Sequence, residues 1–106
     1  MDDAPQVSDA FAAFQREAPR HAQAWMTAVQ GLGEADALDE KTSHLAYIGI
    51  LAALRLVSGV PFHVALARQA GASREEVVSA VLLGLPAAGN GVTQALPAAL
   101  AAYDRP

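Results

Sequence analysis

Three histidines, His21, His44 and His63, are the side chains of this sequence best placed to move protons near neutral pH. An unperturbed imidazole titrates near 6.5, so each can take up and return a proton. His44 lies near the start of a strongly apolar segment, and His63 follows Pro61-Phe62 at the start of the next. A lone histidine on an apolar helix is most often a hydrogen-bonded structural residue, so a partner matters. A turn joins the two segments, which suggests an antiparallel helical hairpin. In such a hairpin His63 sits beside the turn and His44 about three helical turns from it, on the order of 20 Å. The two then meet only if the second helix crosses back, or if another subunit supplies one of them.

Other chemistries find less support. No His-x-x-x-His or His-x-x-His pair exists and no carboxylate stands at ligand spacing from His63, so no metal site is expected. Ser43 and Ser58 are potential nucleophiles, but neither sits in Gly-x-Ser-x-Gly or Ser-x-x-Lys. Ser43 is also the sequence neighbour of His44, and such neighbours do not face each other on a helix. Gly31-Leu32-Gly33 and Gly89-Asn90-Gly91 read as turn punctuation, since no strand precedes them and neither completes a phosphate-loop pattern. Tyr47 is the best polar candidate for a pocket wall, and Trp25 reads as core or pocket lining. There is no cysteine, which excludes disulfides, Fe–S clusters, Cys-ligated zinc and every thiol mechanism.

The elements that must position these side chains are helical. Ser8 caps a first helix carrying Phe11 and Phe14, and Pro19 breaks or kinks the chain. A second helix carries His21, Trp25, Met26 and Val29 to about Gln30, and Gly31-Leu32-Gly33 ends it. Glu34 to Leu38 is a short acidic connection. Asp39 caps a third helix to about Val57, apolar on all sides and therefore buried in a core or an interface. Pro61 opens a fourth helix and Gly71 caps it. Ser73 and Glu76 form a capping box for a fifth, through Leu85. Pro86 to Gly91 is a turn, and an Ala-rich last helix covers about Val92 to Tyr103, disturbed at Pro97. No segment alternates with period two, so the fold class is all-α, about six helices in one domain over residues 1–106.

Bulk composition narrows the partners. Of 106 residues, 53% are apolar and 17% charged, which excludes a disordered chain. About a quarter are Ala, a strong helix former. The net charge is −4 and the basic residues are scattered, so no nucleic-acid partner is expected. The acidic start Met1-Asp2-Asp3-Ala4-Pro5 reads as a flexible N-terminus of about seven residues and not as a signal peptide. The longest apolar run, Leu45–Leu54, is far short of the roughly 20 residues that span a bilayer. No membrane partner is expected, and the expected location is cytoplasmic. Six short helices bury only about 60–70% of their surface. Apolar faces left over point to a homo-oligomer.

Leu38-Asp39-Glu40-Lys41-Thr42, an apolar helix, then His63-(x3)-Ala67-(x3)-Gly71-Ala72-Ser73-Arg74-Glu75-Glu76-Val77 resembles the carboxymuconolactone decarboxylase/AhpD-like family over about residues 38–90. The resemblance implies an all-α fold and trimers or hexamers. One branch carries a Cys-x-x-Cys pair where this chain has Leu56 and Gly59, and a Glu where it has His44. All three thiol-relay positions are changed, and peroxide reduction needs a thiolate. The decarboxylase branch dispenses with the pair. Its patterns are similar to Leu51-Ala52-Ala53-Leu54, Phe62-His63-Val64-Ala65-Leu66-Ala67 and Gly84-Leu85-Pro86-Ala87-Ala88. Ala65 and Leu82 depart from it, standing where an Arg and a Tyr are expected.

The resemblance implies a cofactor-free lyase acting on a small lactone or carboxylic acid. His63 is then the proton carrier, His44 its catalytic neighbour, and Ser58 and Tyr47 the substrate-binding groups. The alternative is a non-catalytic oligomer of the same fold, binding a small ligand or only assembling.

Overall fold

Helix starts follow the capping chemistry of the sequence. The computed structural model describes residues 7–106, and the expectations for the acidic N-terminus fall largely outside them. Ser8 accepts a hydrogen bond from the Phe11 N–H (3.1 Å) and opens α1 (Asp9–Glu17). Pro19 opens α2 (Pro19–Ala35), a position where its missing N–H costs nothing. Asp39 accepts from the Thr42 N–H (2.8 Å) and opens α3 (Glu40–Ala53). A 3-10 turn, Val57–Gly59, leads into α4 (Val60–Gln69). Ser73 and Glu76 close a reciprocal capping box on α5 (Arg74–Leu82), with bonds of 2.9 and 3.0 Å. A short α6 (Leu85–Ala88) and a 3-10 stretch (Asn90–Ala95) precede α7 (Leu96–Tyr103). The described residues contain no strand, as the missing period-two pattern requires.

Several boundaries differ from those expected. α2 runs through Gly31-Leu32-Gly33 to Ala35, because a glycine in a helix costs only about 1 kcal/mol and the flanking residues continue it. α3 stops at Ala53 and not Val57: Arg55 takes a left-handed conformation (φ 64°) and reverses the chain. α5 ends at Leu82, the expected turn at Pro86–Gly91 contains most of α6, and Pro97 starts α7 where it was expected to disturb a helix.

The core is a ring of four helices. α3 packs on α4 and α5, and α7 packs on the same two from the other side. Ile48, Val60, Val64, Val77, Val81 and Val92 are fully buried between them. Each such side chain contributes about 1.5–3 kcal/mol relative to exposure. Gly49 lets α3 and α5 approach closely, since a Cβ there would lie 3.1 Å from the Ala80 carbonyl oxygen. Lys41 ties the same two helices through an ion pair to Glu76 (3.2 Å). The end of α7 is held by Tyr103, whose hydroxyl donates to the Ala72 carbonyl (2.8 Å), and by the Arg74–Asp104 pair (3.0 Å).

α1 and α2 stand apart from this ring. They pack on each other, without comparable packing against α3–α7, and Ala22 is their one buried residue. No helix among the described residues is long and apolar enough to cross a membrane.

Candidate functional site

His44 and Tyr47 lie three residues apart on α3 and therefore share a face. The early stop of α3 decides what they meet. The connection of residues 54–59 folds back against the helix end, and Gly59 packs beside the Leu51 side chain. α4 thus begins alongside α3, which sets His63 level with Tyr47. The ring centroids of Tyr47 and His63 are 4.4 Å apart, and those of His44 and His63 are 6.2 Å apart. The separation of about 20 Å expected from an ideal hairpin is therefore corrected. The two histidines meet within one chain, with no second subunit required.

Phe62 completes the cluster. Its ring stands edge-on to His63, at 5.3 Å and an interplanar angle of 89°. Sequence reasoning did not select it, since a neighbour in sequence is expected on a different helix face. Its aromatic character beside His63 was the available signal. Tyr47 and Phe62 are each more than two-fifths exposed, so the cluster is open to solvent on their side.

His63 is in an unusual electrical state. Its Nδ1 is buried and makes no hydrogen bond. Burial away from water, and then the like charge on His44, push its pKa down from 6.5 to about 4. The imidazole is therefore neutral at pH 7, with one nitrogen that nothing among the described residues satisfies. A neutral imidazole next to a second histidine and a phenol can accept a proton from a bound molecule and return it.

The remaining candidates divide. Ser58 is exposed in the 3-10 turn before α4 and makes no hydrogen bond to the three rings. The Ser43 hydroxyl donates to the Asp36 carboxylate (2.5 Å), which also accepts from the Leu38 N–H (2.8 Å). These bonds hold the Asp36 carboxyl below its usual range and give Ser43 a structural role at the α2–α3 junction. His21 is exposed on α2. Trp25 is 55% exposed, which corrects its reading as a core residue. Among the described residues no group of His, Asp and Glu could hold a metal ion.

A sequence model described as the carboxymuconolactone decarboxylase family matches residues 19–102. The match extends beyond the stretch of about 38–90 that carried the resemblance and takes in α2 and most of α7. No curated protein and no solved structure gives a match.

Proposed function

The chain belongs to the carboxymuconolactone decarboxylase family, and from that premise we propose that it is a cofactor-free, decarboxylase-like lyase acting on a small lactone or carboxylic acid. The observation that carries this reading is His63, neutral at pH 7, with a buried Nδ1 that has no partner. Such an atom costs roughly 1–3 kcal/mol, which a hydrogen-bonding ligand can recover. Loss of CO2 from an unsaturated lactone acid breaks the C–C bond to the carboxylate. The electron pair passes to the lactone carbonyl as an enolate, so the substrate supplies its own electron sink. The step is complete when a proton reaches carbon.

His63 supplies that proton. A bound carboxylate opposes the burial penalty and raises the proton affinity of the imidazole. The ring then takes a proton from solvent as the substrate binds and returns it to carbon as CO2 leaves. His44 and Tyr47 orient the substrate beside the ring, and Ser58 supplies a hydroxyl at the turn. Leu56 and Gly59, standing where the thiol branch carries its cysteine pair, support the decarboxylase-branch reading over the thiol one.

The test is CO2 release from a panel of small lactone acids. General acid–base catalysis contributes about 100–10,000-fold, so His63→Ala should lose at least about 100-fold of turnover while retaining its helical circular dichroism. Unchanged turnover removes His63 from the mechanism.

One observation favours ligand binding without turnover: the four rings of the cluster carry no permanent positive charge, and Ala65 stands at the family's arginine position. A wild-type chain that binds a lactone acid by calorimetry but releases no CO2 would establish that reading.

A further inference from the structure

Among the described residues, Arg55 is the only one other than glycine with a left-handed backbone (φ 64°). A residue with a Cβ is strained there and stays only where its surroundings hold it. The turn it makes bears on the site. It ends α3, and the short segment that follows sets His63 against Tyr47, with ring centroids 4.4 Å apart.

What holds Arg55 comes from the end of α6 and from Gly89-Asn90-Gly91, which reads in the sequence as turn punctuation. The guanidinium donates to the Ala88 carbonyl (3.1 Å), an acceptor of the kind that a helix end leaves without an intrahelical partner. Gly89 is itself left-handed (φ 83°) and turns the chain at that point. Gly91 then lies directly against the guanidinium: a Cβ built there would collide with the Arg55 Cζ, Nη2 and Nε. This cradle is fixed, because Val92 and Ala95 of the same 3-10 stretch are buried in the core.

We propose that Arg55 is a positioning residue for the His44–Tyr47–His63 cluster: seated on Gly91 and bonded to the Ala88 carbonyl, it holds the left-handed turn that ends α3 and so sets the His63 ring against Tyr47. The inference rests on the reading of that cluster as the site, and it adds a residue that acts from outside it. The competing account places α4 by its own buried face, Val60, Val64 and Ala67. That face orders α4 against the core, but it does not make Arg55 left-handed. The bond from the Leu56 N–H to the Leu51 carbonyl (2.9 Å) closes across that residue, and Gly59 reaches the Leu51 side chain only after the turn.

NMR of the free protein, without substrate, tests the proposal, so its failure is separate from failure of the lyase reading. One readout is the nuclear Overhauser contact between the Tyr47 and His63 rings. The other is the titration midpoint of His63, about 4 where burial and then His44 act on it. The titratable groups facing its ring are His44 and Tyr47, both from α3. Gly91→Ala touches neither ring. It should expel the guanidinium, weaken the Tyr47–His63 contact and raise the midpoint measurably from about 4 toward the ordinary 6.5. Arg55→Ala keeps the strained Cβ without its anchor and should do the same. Arg55→Gly needs no anchor, since glycine takes the left-handed state freely, and should keep both contact and midpoint. The double variant Arg55→Gly/Gly91→Ala should keep them too, because the new methyl then meets no guanidinium. Circular dichroism checks that each variant folds, and Arg55→Ala against Arg55→Gly decides the matter even where Gly91→Ala does not. A wild-type contact and midpoint in folded Gly91→Ala or in Arg55→Ala overturns the proposal and leaves α4 placed by its own core. A change in Gly91→Ala that the double variant does not reverse overturns it as well, since the effect then comes from Gly91 itself.

Discussion

His63 gives up its proton at about 4 in the folded chain and near 6.5 in an unfolded one. Between these values the unfolded chain binds more protons, so stability rises with pH through that window and is lost as pH falls through it. The exposed carboxylates Asp36, Asp39, Glu76 and Asp104 are all held below their usual values by hydrogen bonds, the last three also by cationic neighbours. They withdraw stability only below about pH 4.5, so the window above belongs to the imidazole. Urea unfolding at pH 7 and about pH 5 should show wild type losing stability and His63→Gln losing measurably less. An equal loss in both would place the sensitivity elsewhere. Three of the four residues of this cluster, His44, Tyr47 and His63, were legible in the sequence by type and position, whereas Phe62 was not. Their meeting was not legible, because it depends on where α3 ends to within one helical turn.

That ending shows why boundaries escape a sequence reading. α4 and α3 close with the same hydrogen-bond pattern. In α4 the Ala72 N–H donates to the Ala67 carbonyl (2.9 Å) and Gly71 N–H to Arg68 (3.0 Å). In α3 the Leu56 N–H donates to the Leu51 carbonyl (2.9 Å) and Arg55 N–H to Ala52 (3.2 Å). Both need a left-handed residue after the helix. Gly71 announces one (φ 101°), whereas Arg55 adopts it (φ 64°) while its guanidinium donates to the Ala88 carbonyl (3.1 Å). A tertiary contact thus holds a backbone state that composition does not advertise. Conversely, Gly31 and Gly33 announced a stop that the chain does not make. The same substitution should therefore act with opposite signs. Gly71→Ala puts a Cβ on a left-handed residue and should destabilise by about 1–2 kcal/mol. Gly31→Ala meets nothing within 4 Å, and it should stabilise by up to about 1 kcal/mol. Denaturant unfolding of the two variants checks both, and matching signs would refute the assignment of Gly31 to a helix interior.

At the scale of the whole molecule, stability is unevenly distributed. The α3, α4, α5 and α7 ring, with Ala72 and the 3-10 stretch Asn90–Ala95 that pack on it, contains every buried side chain among the described residues except Ala22, the one that α1 and α2 bury. Elements with few buried contacts open at low free-energy cost, and a binding partner restores that cost by mass action. Hydrogen exchange should therefore distinguish the two parts. Amides around Ile48, Val64 and Val81 should exchange slowly, protected by the core, while those of α1 and α2 should exchange much faster. If amides of α2 and of the core exchange with one common protection, the α1–α2 pair and the ring form one cooperative unit, and the division drawn from their packing is wrong.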